Sequence, residues 1–395
     1  MKDKKNIFVL ALLFSLGSFT FSTPLESPSW AFRLDLPEGY EFLDGDGKDQ
    51  FSFENPEGAR FDLRIFHGTQ AGKAAYASVE ELTRDIQSQL NNSGETDPFE
   101  YDGKKACLIE LEFQLPGAGP MSGWALCMEL NQSSQSSPGS SQAPGPKPLL
   151  LAMAYGPAGK NGLLALHLSA LDSLAPEEGD RLKPGPLTEY AWPREKRVKT
   201  PVFGLDLEAL VFEEEAEAAQ ALVDREFQVL RLYENAPNWK EAWIRFYRAI
   251  YRDSFDRLIN IAFQVERKLN VPSRENRDFA EQVLKWVQSF EYERDQMGSD
   301  FLNAVTAATE GRGDCDSRAM LWAVILNQAN IPAAMMVSRQ YSHAMGLAEL
   351  PGSGAHFEVE GQRLLVAETT ADVSIGLIGE TVSEIENWLG ILFRQ

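Results

Sequence analysis

Residues 311–332, GRGDCDSRAMLWAVILNQANIP, form the most informative segment in the C-terminal part of the chain. The segment carries small and apolar residues at the spacing of one helix face, namely Ala319, Trp322, Ala323, Leu326 and Ala329. Pro332 follows the helix end, and Cys315 lies at or just before the first turn. There the unpaired backbone N–H groups and the helix dipole favour a thiolate over a thiol. The sequence therefore predicts a reactive cysteine at a helix start, with a buried structural cysteine as the alternative.

A histidine and a carboxylate follow this helix on strand-like segments. Residues 333–350, AAMMVSRQYSHAMGLAEL, have the pattern of two strands separated by a polar turn, and His343 begins the second strand. Residues 356–376, HFEVEGQRLLVAETTADVSIG, have the pattern of a hairpin with Glu368 at the end of its second strand. A cysteine at a helix start can meet a histidine and a carboxylate on successive strands as nucleophile, base and orienting group. The order Cys315, His343, Glu368 therefore predicts a catalytic triad.

Residues 275–380 resemble the transglutaminase-like superfamily of cysteine hydrolases and acyltransferases. The resemblance is carried by KWVQSFEYERD, GRGDCDSRAMLWAVILNQANIPA, SHAMG and VAETTADVSIG, which are similar to a bacterial and archaeal branch with a GDC…H…ETT arrangement. It implies a papain/transglutaminase-like α+β domain with Cys315 as nucleophile, His343 as general base and Glu368 as third member. It also implies attack on an amide to give a thioester. Water then completes a peptidase or amidase reaction, which the resemblance favours, whereas a lysine amine completes a crosslinking transfer.

The resemblance is incomplete at the third position, because the wider superfamily usually carries aspartate where this chain has Glu368. One extra methylene changes the reach to the imidazole, so Asp372 is the alternative carboxylate. His356 is the alternative base, although its neighbours fit the hairpin better than the SHAMG site. Gln288 either orients or lines the site, or is a solvated surface residue. The competing functions are an inactive domain that binds proteins of the cell envelope and, third, a redox sensor that uses Cys315.

The N-terminal half has a different pattern. Short strand-like runs such as FRLDL and LLLAMAYG alternate with Gly, Pro and Asn turns over residues 30–193, and one helix pattern lies at 78–90. Residues 131–148 are a polar low-complexity stretch, interpreted as a flexible loop between two strands. By layout this half resembles PsbP-type α/β sandwich domains, and we interpret it as a binding or spacer domain. The basic, Pro-flanked residues 194–212 are predicted to be a linker.

Together these patterns predict the α+β class. An N-terminal antiparallel sheet with a helix is followed, over residues 213–395, by a helical region and the catalytic domain, whose core is 275–380. In the first part, a Pro/Gly turn between Cys107 and Cys127 predicts a hairpin that places the two cysteines opposite each other. Their Cβ atoms would lie ~5 Å apart. A disulfide and a pair of buried, unpaired thiols both fit this arrangement.

The N-terminus predicts export. Residues 1–22 combine a lysine-rich start, an apolar run from Ile7 to about Phe21, and small residues before a cut after Ser22, as in a secretory signal peptide. A membrane anchor is the alternative, but spanning a bilayer takes ~20 apolar residues, more than this run contains. The mature chain is therefore expected in the periplasm or outside the cell, without membrane attachment.

Composition excludes several classes of function. The chain has 37 Lys plus Arg against 58 Asp plus Glu, a net charge of −21, so a nucleic-acid partner is not expected. With three cysteines and four histidines, neither a metal centre nor another cofactor is expected. The expected partner is a protein or peptide substrate, and the sequence does not determine the oligomeric state.

Overall fold

The computed structural model describes residues 24–27, 29–67, 75–131, 147–160, 162–269, 275–294 and 299–393. Within them the fold is α+β, as the sequence predicts. The predicted signal peptide, residues 1–22, lies outside the described residues, as does most of the low-complexity stretch 131–148. The strands on either side of that stretch pair antiparallel, with Glu129 opposite Leu149. Among the described residues, no helix is both long enough and apolar enough to cross a bilayer.

The N-terminal half is an antiparallel sheet with helices on both faces. Its elements are β1 (Leu25–Glu26), β2 (Arg33–Leu34), β3 (Glu41–Gly45), β4 (Gln50–Glu54), β5 (Arg60–Phe66), α1 (Val79–Leu90), β6 (Thr96–Tyr101), β7 (Lys104–Leu115), β8 (Gly119–Glu129), β9 (Leu149–Pro157), α2 (Leu163–Asp172) and α3 (Pro186–Ala191). The sheet order is β3-β4-β5-β9-β8-β7-β6, and β1 pairs with β2 separately. Apolar side chains alternate along β5, where Phe61, Leu63 and Ile65 are buried. Helix α1 covers β7 and β8 on one face, and α2 packs against β8 and β9 on the other.

The cysteines of this half lie opposite each other, as predicted. The register of β7 and β8 pairs Cys107 with Cys127. Both thiols are free and buried in the cluster that α1 covers. Burial raises the pKa of the Cys127 thiol to about 12. The structure therefore shows the unpaired alternative of the two that the sequence left open.

The segment expected to be a linker, residues 194–212, is instead mostly an antiparallel hairpin of β10 (Arg197–Val202) and β11 (Leu207–Phe212). Its charged residues alternate with apolar ones, so one face is solvated while Val202 and Val211 enter the C-terminal core. The hairpin is anchored through Phe203, whose carbonyl accepts a hydrogen bond from Trp286 Nε1 at 2.8 Å. This connection is therefore an ordered part of the fold.

In the C-terminal half, the other elements surround one central helix. Its elements are α4 (Glu215–Arg231), α5 (Trp239–Arg257), α6 (Ile259–Leu269), α7 (Asn276–Gln288), β12 (Glu291–Tyr292), α8 (Ala304–Glu310), β13 (Arg312–Gly313), α9 (Cys315–Gln328), β14 (Ala333–Ser338), β15 (His343–Ala348), β16 (His356–Val359), β17 (Gln362–Ala367) and β18 (Leu389–Ile391). The antiparallel sheet has the order β16-β17-β15-β14-β18. Helix α9 packs on β14 and β15 and is enclosed by α5, α6, α7 and α8, so nearly all of its side chains are buried.

Buried polar groups connect the two halves. Arg245 on α5 donates from Nη1 to Glu226 Oε2 on α4 at 2.8 Å, and from Nη2 to Ser169 Oγ on α2 at 2.6 Å. The Ser169 hydroxyl donates in turn to the same Glu226 oxygen at 2.8 Å. Each side chain thus satisfies the others, which a buried ion pair requires if it is not to be destabilising.

Candidate active site

Cys315 is the first residue of α9, at the position the sequence predicts. Asp314 caps the helix: its Oδ1 accepts from the Ser317 backbone N–H at 2.8 Å and from the Ser317 hydroxyl at 2.6 Å. Gly313 has φ +151°, and a Cβ there would lie 2.8 Å from Ser317 Cβ, so only glycine fits this turn. Buried Arg318 holds the loop by donating to the carbonyls of Gly313 and Phe290. These contacts fix the backbone that leads into Cys315 and the first turn of the helix that follows it.

His343 and Glu368 are in direct contact. His343 Nε2 lies 2.8 Å from Glu368 Oε2. The other carboxylate oxygen, Oε1, accepts from the backbone N–H of Thr370 at 2.8 Å and from its hydroxyl at 2.6 Å. Although burial alone would raise the pKa of Glu368, the hydrogen bonds from His343 and Thr370 hold it below its ordinary value. The carboxylate is thus charged and oriented toward the imidazole.

The strand register explains why a glutamate suits this position. Gly346 on β15 pairs with Ala367 on β17, so Glu368 projects from the same face as His343 but at a diagonal position. Diagonal neighbours in an antiparallel pair are ~7–8 Å apart, within reach of long side chains. The extra methylene of glutamate supplies this reach.

Close packing of α9 on the sheet brings the cysteine to the same place. Trp322 lies against Gly346, where a Cβ would be 2.5 Å from the indole ring. This contact places the start of α9 beside the start of β15. As a result the Cys315 sulfur lies within hydrogen-bonding reach of the Ala344 backbone, next to His343. The structure therefore brings the three predicted residues to one region.

The environment of the thiol differs from the sequence-based expectation. Cys315 is only 2% exposed, and its Sγ lies 3.6 Å from Asp316 Oδ2. Burial first, and then the carboxylates of Asp316 and Asp314, raise the pKa of Cys315 well above its ordinary value. A helix N-terminus contributes at most ~2 kcal/mol in favour of the anion, and here desolvation and two adjacent acids outweigh it. This environment therefore favours the protonated thiol over the thiolate.

Two further residues complete the surroundings of the thiol. Tyr247 on α5 donates its hydroxyl to Asp316 Oδ1. Burial and the neighbouring Asp316 charge raise the pKa of Asp314 to about 8. Neither Asp316 nor Tyr247 is singled out by the sequence pattern. Adjacency to Cys315 in GDCD was a signal for Asp316, whereas Tyr247 has none because it comes from a distant helix.

No hydrogen bond joins the thiol to the imidazole among the described residues; Sγ is directed to Asp316 and the ring to Glu368. Because Nε2 is engaged by Glu368, Nδ1 is the ring nitrogen available to the thiol. The His343 ring centroid is 6.1 Å from that of Trp388, and the side chain keeps 18% exposure. A substrate can therefore approach the imidazole from the solvent side.

The alternative residues lie outside this arrangement. His356 is on the edge strand β16, where Nδ1 contacts the Gly354 carbonyl and Arg363. Asp372 is exposed. Gln288 is half-buried and donates from Nε2 to the carbonyls of Glu368 and Val373 at 2.8 and 2.9 Å. It therefore anchors the loop that carries Glu368.

A groove adjoins the site. A cavity of about 350 Å³ is bounded by His343, Asp314 and Asp316, with Arg294, Arg339, Trp243, Phe301 and Ser342 among its other walls. A second cavity of about 450 Å³ shares Trp243, Val337 and Arg339 with the first and continues to Trp239 and Trp388. The Arg339 guanidinium stacks 5.7 Å from the Trp239 ring centroid. The site is thus one end of an elongated groove with aromatic and cationic walls.

The same residues contain a set of metal-type ligands. Oxygen and sulfur atoms of Asp314, Cys315 and Asp316 lie within 4.8 Å of one another. The Asp314 carboxylate already accepts a hydrogen bond from Ser317, and the Asp316 carboxylate accepts one from Tyr247. These contacts account for the cluster without an ion, and we assign no metal to it.

Comparison with known proteins gives the following similarities. No family model matches the chain, and no curated protein matches it. A candidate cysteine protease from Cytophaga hutchinsonii is 10% identical over 91% of this chain and 82% of its own, with a TM-score of 0.24. Calcium-bound LapG from Legionella pneumophila is 13% identical over 39% and 76%, with a TM-score of 0.20. Cyanobacterial PsbP from Synechocystis sp. PCC 6803 is 10% identical over 41% and 98%, with a TM-score of 0.27.

Proposed function

We propose that the chain is an exported cysteine hydrolase, a peptidase or amidase, with Cys315 as nucleophile, His343 as base and Glu368 as orienting group. The observation that carries the proposal is the 2.8 Å contact between His343 Nε2 and Glu368 Oε2, made beside a helix that begins with Cys315. The carboxylate is itself fixed by Thr370, so the imidazole is held in one orientation. A catalytic triad requires a base that is held in one orientation, whereas the packing of ordinary core residues does not.

The reaction follows from these positions. The Cys315 proton passes to His343 Nδ1 as sulfur attacks an amide carbonyl, and the Glu368 carboxylate stabilises the imidazolium that forms. Backbone N–H groups at the start of α9 hold the oxyanion. The imidazolium then protonates the departing amine and leaves a thioester on Cys315. Water, deprotonated by His343, attacks the thioester and releases the acid, which restores the thiol.

Because the pKa of Cys315 is raised, the thiol proton is transferred during the reaction and not before substrate binds. A thiolate–imidazolium pair at rest requires a thiol pKa below that of the imidazole, and here burial and two carboxylates prevent this. The thiol must turn from Asp316 toward Nδ1 when substrate fills the groove. A low reactivity toward small electrophiles, together with a higher reactivity toward a bound acyl substrate, is the expected signature.

The groove favours an extended peptide as substrate. The two adjoining cavities together run along Trp243, Arg339 and Trp239. These residues offer flat apolar surface and guanidinium donors, and they do not form a closed pocket. Aromatic and arginine side chains are the residue types that contribute most to peptide and protein binding. A small amide would fill only the part that His343 borders.

One observation favours a second candidate. Cys315 is 2% exposed and protonated at rest, as expected for a domain that keeps the fold but serves as a binding module. In that case the groove would bind a peptide without cleaving it. The amine-transferring alternative uses the same acyl-enzyme and differs only in the second nucleophile.

The test is acylation by the p-nitrophenyl ester of an extended peptide that can fill the groove, followed by mass spectrometry of the Cys315 peptide. The expected result is a burst of p-nitrophenol and an acylated Cys315, both lost in Cys315→Ala and reduced at least ~100-fold in His343→Ala. His356→Ala is the matched control and should behave as the wild type. Adding a primary amine distinguishes transfer from hydrolysis. Equal rates in wild type and Cys315→Ala would reject the enzyme and leave the binding module.

A further inference from the structure

A cavity of about 60 Å³ lies between the two halves of the chain, on the side of α5 away from the cysteine. It is bounded by the end of β2, the C-terminal end of α2, and one face each of α4 and α5. Its walls carry a set of arginines drawn from both halves: Arg33, Arg181, Arg225, Arg245, Arg248 and Arg252. Carboxylates on the same walls are Asp35, Asp172, Glu226 and Asp253.

Three of these carboxylates neutralise three of the guanidinium groups. Asp35 binds Arg248 through both of its oxygens, at 3.1 and 2.9 Å. Glu226 binds Arg245 at 2.8 Å, and Asp172 binds Arg225 at 2.6 Å. The fourth carboxylate contributes nothing to the cavity, because both oxygens of Asp253 are taken by Arg257, which is not on its wall.

Among the described residues, Arg33 and Arg252 make no ion pair, and Arg181 makes only a long one. Arg252 donates from its two Nη atoms to carbonyls at the C-terminal end of α2, and its buried Nε has no partner among the described residues. Arg181 likewise has a buried Nε without a partner in that part of the chain, and its ion pair with Glu26 is long, at 3.6 Å, and mostly exposed on the glutamate side. Arg33 makes no side-chain hydrogen bond to any described residue; burial lowers its pKa, although the charges of Asp35 and Glu26 act in the opposite direction.

We propose that this cavity binds a small tetrahedral oxyanion of the phosphate or sulfate class, held by Arg33, Arg181 and Arg252. The three side chains are half-buried, and a partly desolvated guanidinium without an anion is costly. A water takes ~10–15 Å³ measured in this way, so the volume holds about four to six waters, the size of a tetrahedral oxyanion. The planar guanidinium group of arginine donates paired hydrogen bonds that match the oxygens of a tetrahedral oxyanion. The volume excludes nucleotides and longer polyanions.

The test is thermal unfolding of the whole chain, with phosphate and sulfate titrated separately against chloride at constant ionic strength. The melting temperature of the wild type should rise with a saturable dependence on one or both anions. Arg33→Gln and Arg181→Gln should each weaken the apparent affinity at least ~10-fold, the equivalent of one lost charge-assisted hydrogen bond. Arg84→Gln, an exposed arginine on α1, is the matched control and should titrate as the wild type.

Without anion, the same variants should change the melting temperature in the opposite direction. Because Arg33 has no hydrogen bond to lose, Arg33→Gln in phosphate-free and sulfate-free buffer should melt at or above the wild-type temperature. Its far-UV circular dichroism should be unchanged. Equal, non-saturating shifts in wild type, Arg33→Gln and Arg84→Gln would be a general salt effect and would overturn the proposal. A saturable response to acetate but not to phosphate or sulfate would also overturn it.

Discussion

Replacing Asp316 by asparagine should activate the Cys315 thiol. The Oδ2 of Asp316 lies 3.6 Å from Sγ, and its charge is one reason for the raised pKa of the thiol. At that distance the repulsion between a thiolate and a carboxylate is about 5 kcal/mol at an effective dielectric constant of 20 and about 1 kcal/mol at 80. Because the carboxylate borders a cavity open to solvent, we take the lower part of this range. The apparent pKa of Cys315 should fall by at least about one unit.

The assay is the rate of iodoacetamide alkylation against pH, read by mass spectrometry on the Cys315 peptide so that Cys107 and Cys127 do not interfere. Asp316→Asn retains an oxygen for the Tyr247 hydroxyl, so the contact to α5 is preserved while the charge is lost. Asp300→Asn removes a charge from the same cavity and should leave the profile unchanged. A Cys315 pKa that stays the same or rises in Asp316→Asn would refute the role of the Asp316 charge and leave burial and Asp314 as the causes.

Three other outcomes follow from the structure. Glu368→Gln should lower the acylation rate at least ~100-fold, because the imidazolium loses its counter-charge, while Asp372→Asn should stay within about twofold in the same assay. Burial lowers the pKa of His167 to about 4, so the folded state resists protonation; stability should be complete above the unfolded pKa of ~6.5 and fall by about 3 kcal/mol as pH drops to 4. Urea denaturation at pH 7.5 and 4.5 should show this loss in the wild type and less of it in His167→Phe. Gly346→Ala should destabilise the fold by about 1–3 kcal/mol, since the added Cβ meets the Trp322 ring at 2.5 Å, and a stability equal to wild type would contradict that contact.

The contact of His343 with Glu368 could be predicted because it depends on local pattern. Both residues stand at the ends of neighbouring strands, and strand parity puts them on one face. The reactive state of Cys315 could not be predicted in the same way. A helix start is visible in the sequence, but the depth of burial and the approach of Tyr247 from α5 depend on how distant helices pack around α9. Local pattern therefore predicted the position of the cysteine, but not the burial and the neighbouring carboxylates that raise its pKa.

The hairpin at residues 197–212 shows the same limit. Its charged residues and flanking prolines are typical of a solvated connection, and the alternate positions that enter the core are few. Val202 and Val211 are buried only because the C-terminal helices provide a surface for them. A strand with one solvated face and few apolar residues is hard to tell from a linker until its packing partner is known.

The buried contact of Ser169, Glu226 and Arg245 has a consequence for how related chains can diverge. Removing one member of a buried ion pair leaves an uncompensated charge and costs about 3–5 kcal/mol, a large part of the stability of an ordinary domain. Single substitutions at Glu226 or Arg245 should therefore be strongly selected against, whereas joint replacement by apolar residues is tolerated. Homologous sequences should carry both charged residues or neither. Covariation across α2, α4 and α5 would then mark the N-terminal and C-terminal halves as a pair inherited together.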